Sequence, residues 1–101
     1  MVKTRIAAVT DVALGKSKLC MVNGQPIALF NVDGKFHAIY DKCTHRGASL
    51  SQGQLNGSTV TCPFHGAEFD VTTGQNLSPP APAPARYFKV SQEGNELFVE
   101  F

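Results

Sequence analysis

A dominant sign of charge is missing from this chain. Nine Lys and Arg stand against eight Asp and Glu, a formal charge of +1, so no field of one sign steers it toward nucleic acid or an anionic membrane. Long apolar runs are missing as well. Met1 to Thr10 interrupts its apolar residues with Lys3, Thr4 and Arg5, and lacks the roughly 7-to-15-residue apolar core of a secretory signal. No segment reaches the roughly 18 uninterrupted apolar residues of a membrane span. These absences predict a cytoplasmic protein with no nucleic-acid or membrane partner. Cysteine is scarce and odd in number, with only Cys20, Cys43 and Cys62, which argues against a pure disulfide framework. In a reducing compartment, ligation is the better use for a clustered pair. Helical periodicity is also lacking: Gly, Pro or Asn interrupts each amphipathic candidate before about ten residues.

What is there reads as strand. The 101 residues, 43% hydrophobic, suit a single domain over 1–101 with a single core. Short apolar and β-branched runs predict strands at Arg5 to Val9, Leu19 to Val22, Ile27 to Val32 and Phe36 to Tyr40, then at Thr59 to Cys62, Glu68 to Val71, Tyr87 to Val90 and Leu97 to Phe101. Asn23-Gly24, Asp33-Gly34 and Asn56-Gly57 suit hairpin turns with positive φ, and Glu93-Gly94-Asn95 suits a slightly longer loop. The expected fold is all-β, a sandwich or small barrel of short antiparallel strands. Two strand-poor segments stand out, Asp41 to Leu55 and Gly74 to Arg86, and connections this long inside a compact domain tend to carry function. The second contains Ser78-Pro79-Pro80-Ala81-Pro82-Ala83-Pro84, expected to form a stiff polyproline-like loop packed over the first.

Two of the three histidines lie within three residues of a cysteine. Cys43-Thr44-His45-Arg46-Gly47 and Cys62-Pro63-Phe64-His65-Gly66 each pair a thiolate with an imidazole at a loop or strand end, and sixteen residues separate His45 from Cys62. Neighbouring loops of one sheet can bring the pairs together, giving two sulfur and two nitrogen ligands that suit zinc or an iron-sulfur cluster. Typical zinc spacings pair Cys with Cys and His with His, unlike the mixed pairs here. The Gly after each pair allows a tight turn around a bulky inorganic group. His37, in the Phe36 to Tyr40 strand, reads as an ordinary strand-face residue, and Cys20 as a small buried hydrophobe.

This pattern resembles the Rieske signature, Cys-x-His-x-Gly followed some sixteen residues later by Cys-x-x-His-Gly. The resemblance covers essentially the whole chain, with Gly74 to Ala81 similar to the family's third, proline-containing loop. It implies a Rieske-like fold with a cluster-binding subdomain, built on cluster-binding loops at about 41–55 and 62–69 and a proline loop at about 74–86. It also implies one [2Fe-2S] cluster, with His45 and His65 on one iron and Cys43 and Cys62 on the other. Two ferric ions, two sulfides and two thiolates sum to a neutral oxidised site. Adding an electron there costs less than adding one to the dianion that four cysteines leave, so the imidazoles raise the potential.

Within the family, high-potential members carry disulfide-forming cysteines at the positions of Ala48 and Phe64, and Ser and Tyr hydroxyls at those of Ala67 and Phe69. None of the four is present. Hydrogen bonds to sulfur stabilise the reduced state, so their loss lowers the potential. The resemblance therefore implies a soluble, monomeric, low-potential ferredoxin. Such a carrier is no enzyme itself: it passes single electrons from a flavoprotein ferredoxin reductase to a terminal oxygenase that hydroxylates aromatic rings. Its contact surface would be the cluster tip, where His45 and His65 approach solvent, ringed by Arg46, Gly47, Ala48, Phe64, Gly66 and part of the proline loop. A Rieske-like small subunit of an assimilatory nitrite reductase is the alternative. An oxygenase's own Rieske domain would need a catalytic domain with a mononuclear iron, and the chain ends at Phe101.

Overall fold

The computed structural model describes residues 3–42, 49–63, 66–77 and 84–100. Among these residues, ten strands make three antiparallel sheets. β1 (Lys3–Ala8), β10 (Glu96–Glu100) and β9 (Val90–Glu93) form the base sheet, in that order. β2 (Ser17–Val22), β3 (Gln25–Val32), β4 (Lys35–Tyr40) and β8 (Tyr87–Phe88) form the middle sheet. β5 (Gln54–Asn56), β6 (Thr59–Thr61) and β7 (Glu68–Asp70) form a third, smaller sheet. Among the described residues the helical segments are two 3-10 turns, Val9–Asp11 and Leu50–Gln52, and no helix is long and apolar enough to cross a membrane.

The buried residues divide into two cores, not the single one expected, because the middle sheet is covered on both faces. Side chains alternate across a strand, and β3 is apolar on both sides. Ile27 and Leu29 join Ala7, Val22, Phe88, Leu97 and Val99 in the core shared with the base sheet. Ala28 and Phe30 join Ile39, Leu50, Val60, Phe69 and Val71 in the core shared with the third sheet. Ile27, Ala28, Leu29 and Phe30 are all fully buried.

Two-residue turns set the registers. Val22 pairs with Gln25 and Val32 with Lys35, leaving Asn23-Gly24 (φ 52°, 77°) and Asp33-Gly34 (φ 52°, 87°) as the expected turns with both residues at positive φ. The next hairpin turns one residue later than expected: Asn56 pairs with Thr59, so Gly57-Ser58 makes the turn. Glu93 pairs with Glu96, so the last turn is also two residues, Gly94-Asn95, and not a longer loop.

The Asp41 to Leu55 segment is less bare of structure than expected, holding the Leu50–Gln52 turn and the start of β5. The run expected as one strand over Tyr87 to Val90 is two. Tyr87 and Phe88 pair with β4, while Val90 pairs with β10, so the chain changes sheets at Lys89. β4 and β8 are thereby neighbours. The Tyr40 amide donates to the Arg86 carbonyl at 2.8 Å, and residues 41–86 leave and re-enter the middle sheet side by side.

Candidate metal centre

The third sheet exists to close loops. β6 and β7 pair Thr61 with Glu68, and the ladder runs on into the loop between them: the Cys62 amide donates to the Ala67 carbonyl at 2.7 Å, and the Gly66 amide to the Cys62 carbonyl at 3.2 Å. Gly66 sits at φ 74°, the left-handed conformation open to glycine, which reverses the chain after the second motif. Cys62 is 2% exposed and its thiol is free of any disulfide.

The loop after β4 is gathered in the same way. Lys42 and Ser49 form an antiparallel bridge, and the Leu50 amide donates to the Asp41 carbonyl at 2.5 Å. The proline loop is pinned where it leaves and returns, the Ala85 amide donating to the Gly74 carbonyl at 2.7 Å. On its leading side, the Leu77 amide donates to Glu68 at 2.7 Å. The stems of the three loops meet in one core: Leu50, Cys62, Ala67 and Ala85 are all buried in it.

Of the four expected ligands, Cys62 is placed at this junction. Cys43, His45 and His65 lie outside the described residues, as do Arg46, Gly47, Ala48, Phe64 and the 78–83 part of the proline run. Among the described residues, accordingly, no three of His, Cys, Asp and Glu come together. The site fits a bulky thiolate-bound inorganic group. A buried, unpaired thiol stands at the head of one loop, a positive-φ glycine follows it, and the two other loops are fastened to the same core. Ala67 and Phe69 are both fully buried beside Cys62, so that neighbourhood offers no side-chain hydroxyl at either position.

The residues set apart from the site keep to their expected roles. Cys20 is 6% exposed in the base core. Burial pushes its thiol pKa above the ordinary value; Lys18 opposes the shift and Asp11 adds to it. His37 lies on β4 and is half-buried, with Nδ1 3.4 Å from the Tyr87 hydroxyl. Burial draws its pKa down, Asp70 opposing and Lys35 reinforcing.

One buried polar group beside the site was not legible in the sequence. Asp41 is 3% exposed at the root of the first loop, with its carboxylate turned onto Ser49 and Ser51. An acid at the end of an apolar strand ordinarily reads as a solvated loop residue.

Residues 2–90 match the Rieske [2Fe-2S] domain family. The chain is 43% identical over 93 residues to the 3-phenylpropionate/cinnamic acid dioxygenase ferredoxin subunit of Shigella boydii, covering 91% of this chain and 87% of that one. It is 38% identical over 102 residues to the biphenyl dioxygenase ferredoxin subunit of Pseudomonas sp. strain KKS102, covering 100% and 94%. Among solved structures, a complex of reduced oxygenase and oxidised ferredoxin in carbazole 1,9a-dioxygenase contains a chain matching at TM-score 0.90 and 36% identity, over 97% of this chain and 92% of that one. A protein described as a nitrite reductase small subunit matches at TM-score 0.83 and 20% identity, over the full length of both chains, and so shares the fold. The chain therefore belongs to the Rieske [2Fe-2S] domain family, as an electron-transferring ferredoxin with one [2Fe-2S] cluster and no catalysis of its own.

Proposed function

We propose that this protein is a low-potential carrier that passes single electrons from a flavoprotein ferredoxin reductase to the terminal oxygenase of an aromatic-ring dioxygenase system. The observation that carries this reading is the near end-to-end correspondence with ferredoxin subunits of such dioxygenases, which leaves little of either chain unmatched. The nitrite reductase small subunit, at 20% identity, supports a shared fold and not a shared role.

In this reading residues 1–101 act as one cytoplasmic, monomeric domain, and Cys43, His45, Cys62 and His65 hold the cluster, which supplies reversible one-electron chemistry when bound. The chain's own residues hold the loops and exclude water. Phe69, Val60 and Ala67 close the space around the Cys62 stem. The pinned stems fix the backbone before and after each motif, so that little rearrangement accompanies electron gain or loss. A carrier of this kind meets its reductase and oxygenase in turn through small, short-lived contacts.

The test is anaerobic stopped-flow spectroscopy of the purified brown protein with a flavoprotein ferredoxin reductase whose flavin has been reduced beforehand by a nicotinamide donor, followed by mixing with an oxidised aromatic-ring dioxygenase. Bleaching by the first and recovery by the second are expected. A colourless zinc protein, or one that copurifies tightly with a sirohaem enzyme and is not reduced by the reductase, would overturn the proposal.

A further inference from the structure

Asp41 stands at the root of the loop that carries the first cysteine-histidine motif, and its hydrogen bonds reach both ends of that loop. Its amide donates to the Pro26 carbonyl at 3.0 Å, tying the outgoing stem to the middle sheet. Its carbonyl accepts from the Leu50 amide on the returning stem. The carboxylate adds two more bonds to that stem: Oδ2 accepts from the Ser49 hydroxyl at 2.5 Å, and Oδ1 from the Ser51 amide at 2.8 Å. The Ser49 and Ser51 hydroxyls lie 2.9 Å apart, and the Ser51 carbonyl accepts from the Ser17 hydroxyl at 2.8 Å. One buried side chain thus joins the outgoing stem, the returning stem and, through Ser51, the edge strand of the middle sheet.

A buried carboxylate is costly unless its lone pairs are used. A cheaper way to close the loop exists, since the backbone bridge between Lys42 and Ser49 already does so. What the carboxylate adds is a fixed orientation, because two acceptors on one planar group hold Ser49 and Ser51 at a set angle to the stem that leads to Cys43. We infer that Asp41 is a positioning residue for the metal site, holding the two stems of the 43–48 loop in the one relation that lets its ligands close on the cluster. The inference rests on the proposed ligand set.

Three variants of the cluster-loaded protein separate the possibilities. Asp41→Ala removes both carboxylate bonds. Ser49→Ala removes one at a part-exposed position. Asp41→Asn keeps the planar shape, its oxygen accepting from the Ser51 amide and its NH2 donating to the Ser49 hydroxyl. The readouts are decay of visible absorbance in excess chelator, global unfolding by far-ultraviolet circular dichroism, and the EPR line shape of the reduced protein.

Asp41→Ala should lose its cluster at least about tenfold faster, the factor of one hydrogen bond to a charged group, with a broadened EPR signal. Ser49→Ala should follow in the same direction, and Asp41→Asn should restore retention and line shape. The inference is overturned if cluster loss changes only in step with global unfolding, or if Asp41→Ala and Ser49→Ala give the parent EPR signal. A parent protein that holds no [2Fe-2S] cluster would instead overturn the functional reading.

Discussion

Three glycine-to-alanine substitutions separate two costs that glycine ordinarily conceals. Gly24, in the β2–β3 turn, has φ 77° and nothing within 4 Å of where a Cβ would stand. Gly53, at φ −77°, has an ordinary backbone conformation, but a Cβ there would overlap the Thr61 carbonyl oxygen and lie 3.1 Å from its carbon. Gly74 combines both, with φ 82° and a Cβ that would overlap the Ala85 carbonyl oxygen, 3.2 Å from its carbon. Gly24→Ala should cost the strain alone, about 1 kcal/mol after the unfolded chain's lost freedom is set against it. Gly53→Ala should cost about 2 kcal/mol of backbone displacement.

Gly74→Ala should cost both, together with the Ala85-to-Gly74 hydrogen bond, about 4 kcal/mol in all. At about 4 to 8 °C per kcal/mol for a chain this size, thermal scans at one rate should rank the melting temperatures Gly24→Ala above Gly53→Ala above Gly74→Ala. The two crowded variants should also shed the cluster sooner. Thr61 leads directly into Cys62, and Ala85 shares its core, whereas the Gly24 turn touches neither. A Gly74→Ala protein that melts with Gly24→Ala would refute the close approach of the proline-loop stems.

Three further outcomes are expected. Ala67→Ser places a hydroxyl next to the Cys62 ladder pair, and protein-film voltammetry should show a rise of up to about 60 mV, the shift for a tenfold preference for the reduced form; an unchanged or lower potential would contradict it. His37 titrates below its ordinary value near 6.5 in the folded chain because of burial. As pH falls through about 6.5 the unfolded chain takes up the proton first, so stability is full above that pH and declines below it. The urea midpoint should accordingly fall more between about pH 7.5 and about pH 5.5 in the parent than in His37→Gln. Cys20, buried and with its thiol pKa pushed up, should resist iodoacetamide in the native protein and react once urea unfolds it, as read by peptide mapping.

Much of the body was legible because its signals are local. Asn23-Gly24 and Asp33-Gly34 dictate their turns by backbone sterics, and the four-residue apolar run Ile27 to Phe30 between those two turns is too short for a helix and reads as a buried strand. The two cysteine-histidine motifs point to the Rieske family for the same reason, since spacing within a loop is a property of the sequence. What was not legible depends on partners. Gln54-Leu55-Asn56 holds one apolar residue and becomes a strand only because β6 lies beside it. Lys89 marks a change of sheet that no periodicity announces, since Phe88 and Val90 face the same core on either side of it. The sequence around Asp41 gives no hint of burial, because the serines that satisfy it lie across the loop it anchors.

The side-by-side exit and return of residues 41–86 has a consequence for how such carriers diversify. Viewed from the two-sheet body, the chain from Asp41 to Arg86, with both cysteine-histidine motifs in it, is one very long hairpin loop between β4 and β8. Loop length adds to closure entropy only logarithmically, so lengthening or shortening that excursion beyond its buried stems leaves the strand registers beneath it unaltered. A new electron partner can then be matched by rewriting the tip while the body stays as it is. Conversely, a short turn joining Tyr40 to Tyr87 would strip Ala28, Phe30 and Ile39 of the residues that bury them, so the base of the same excursion doubles as half of the molecule's core.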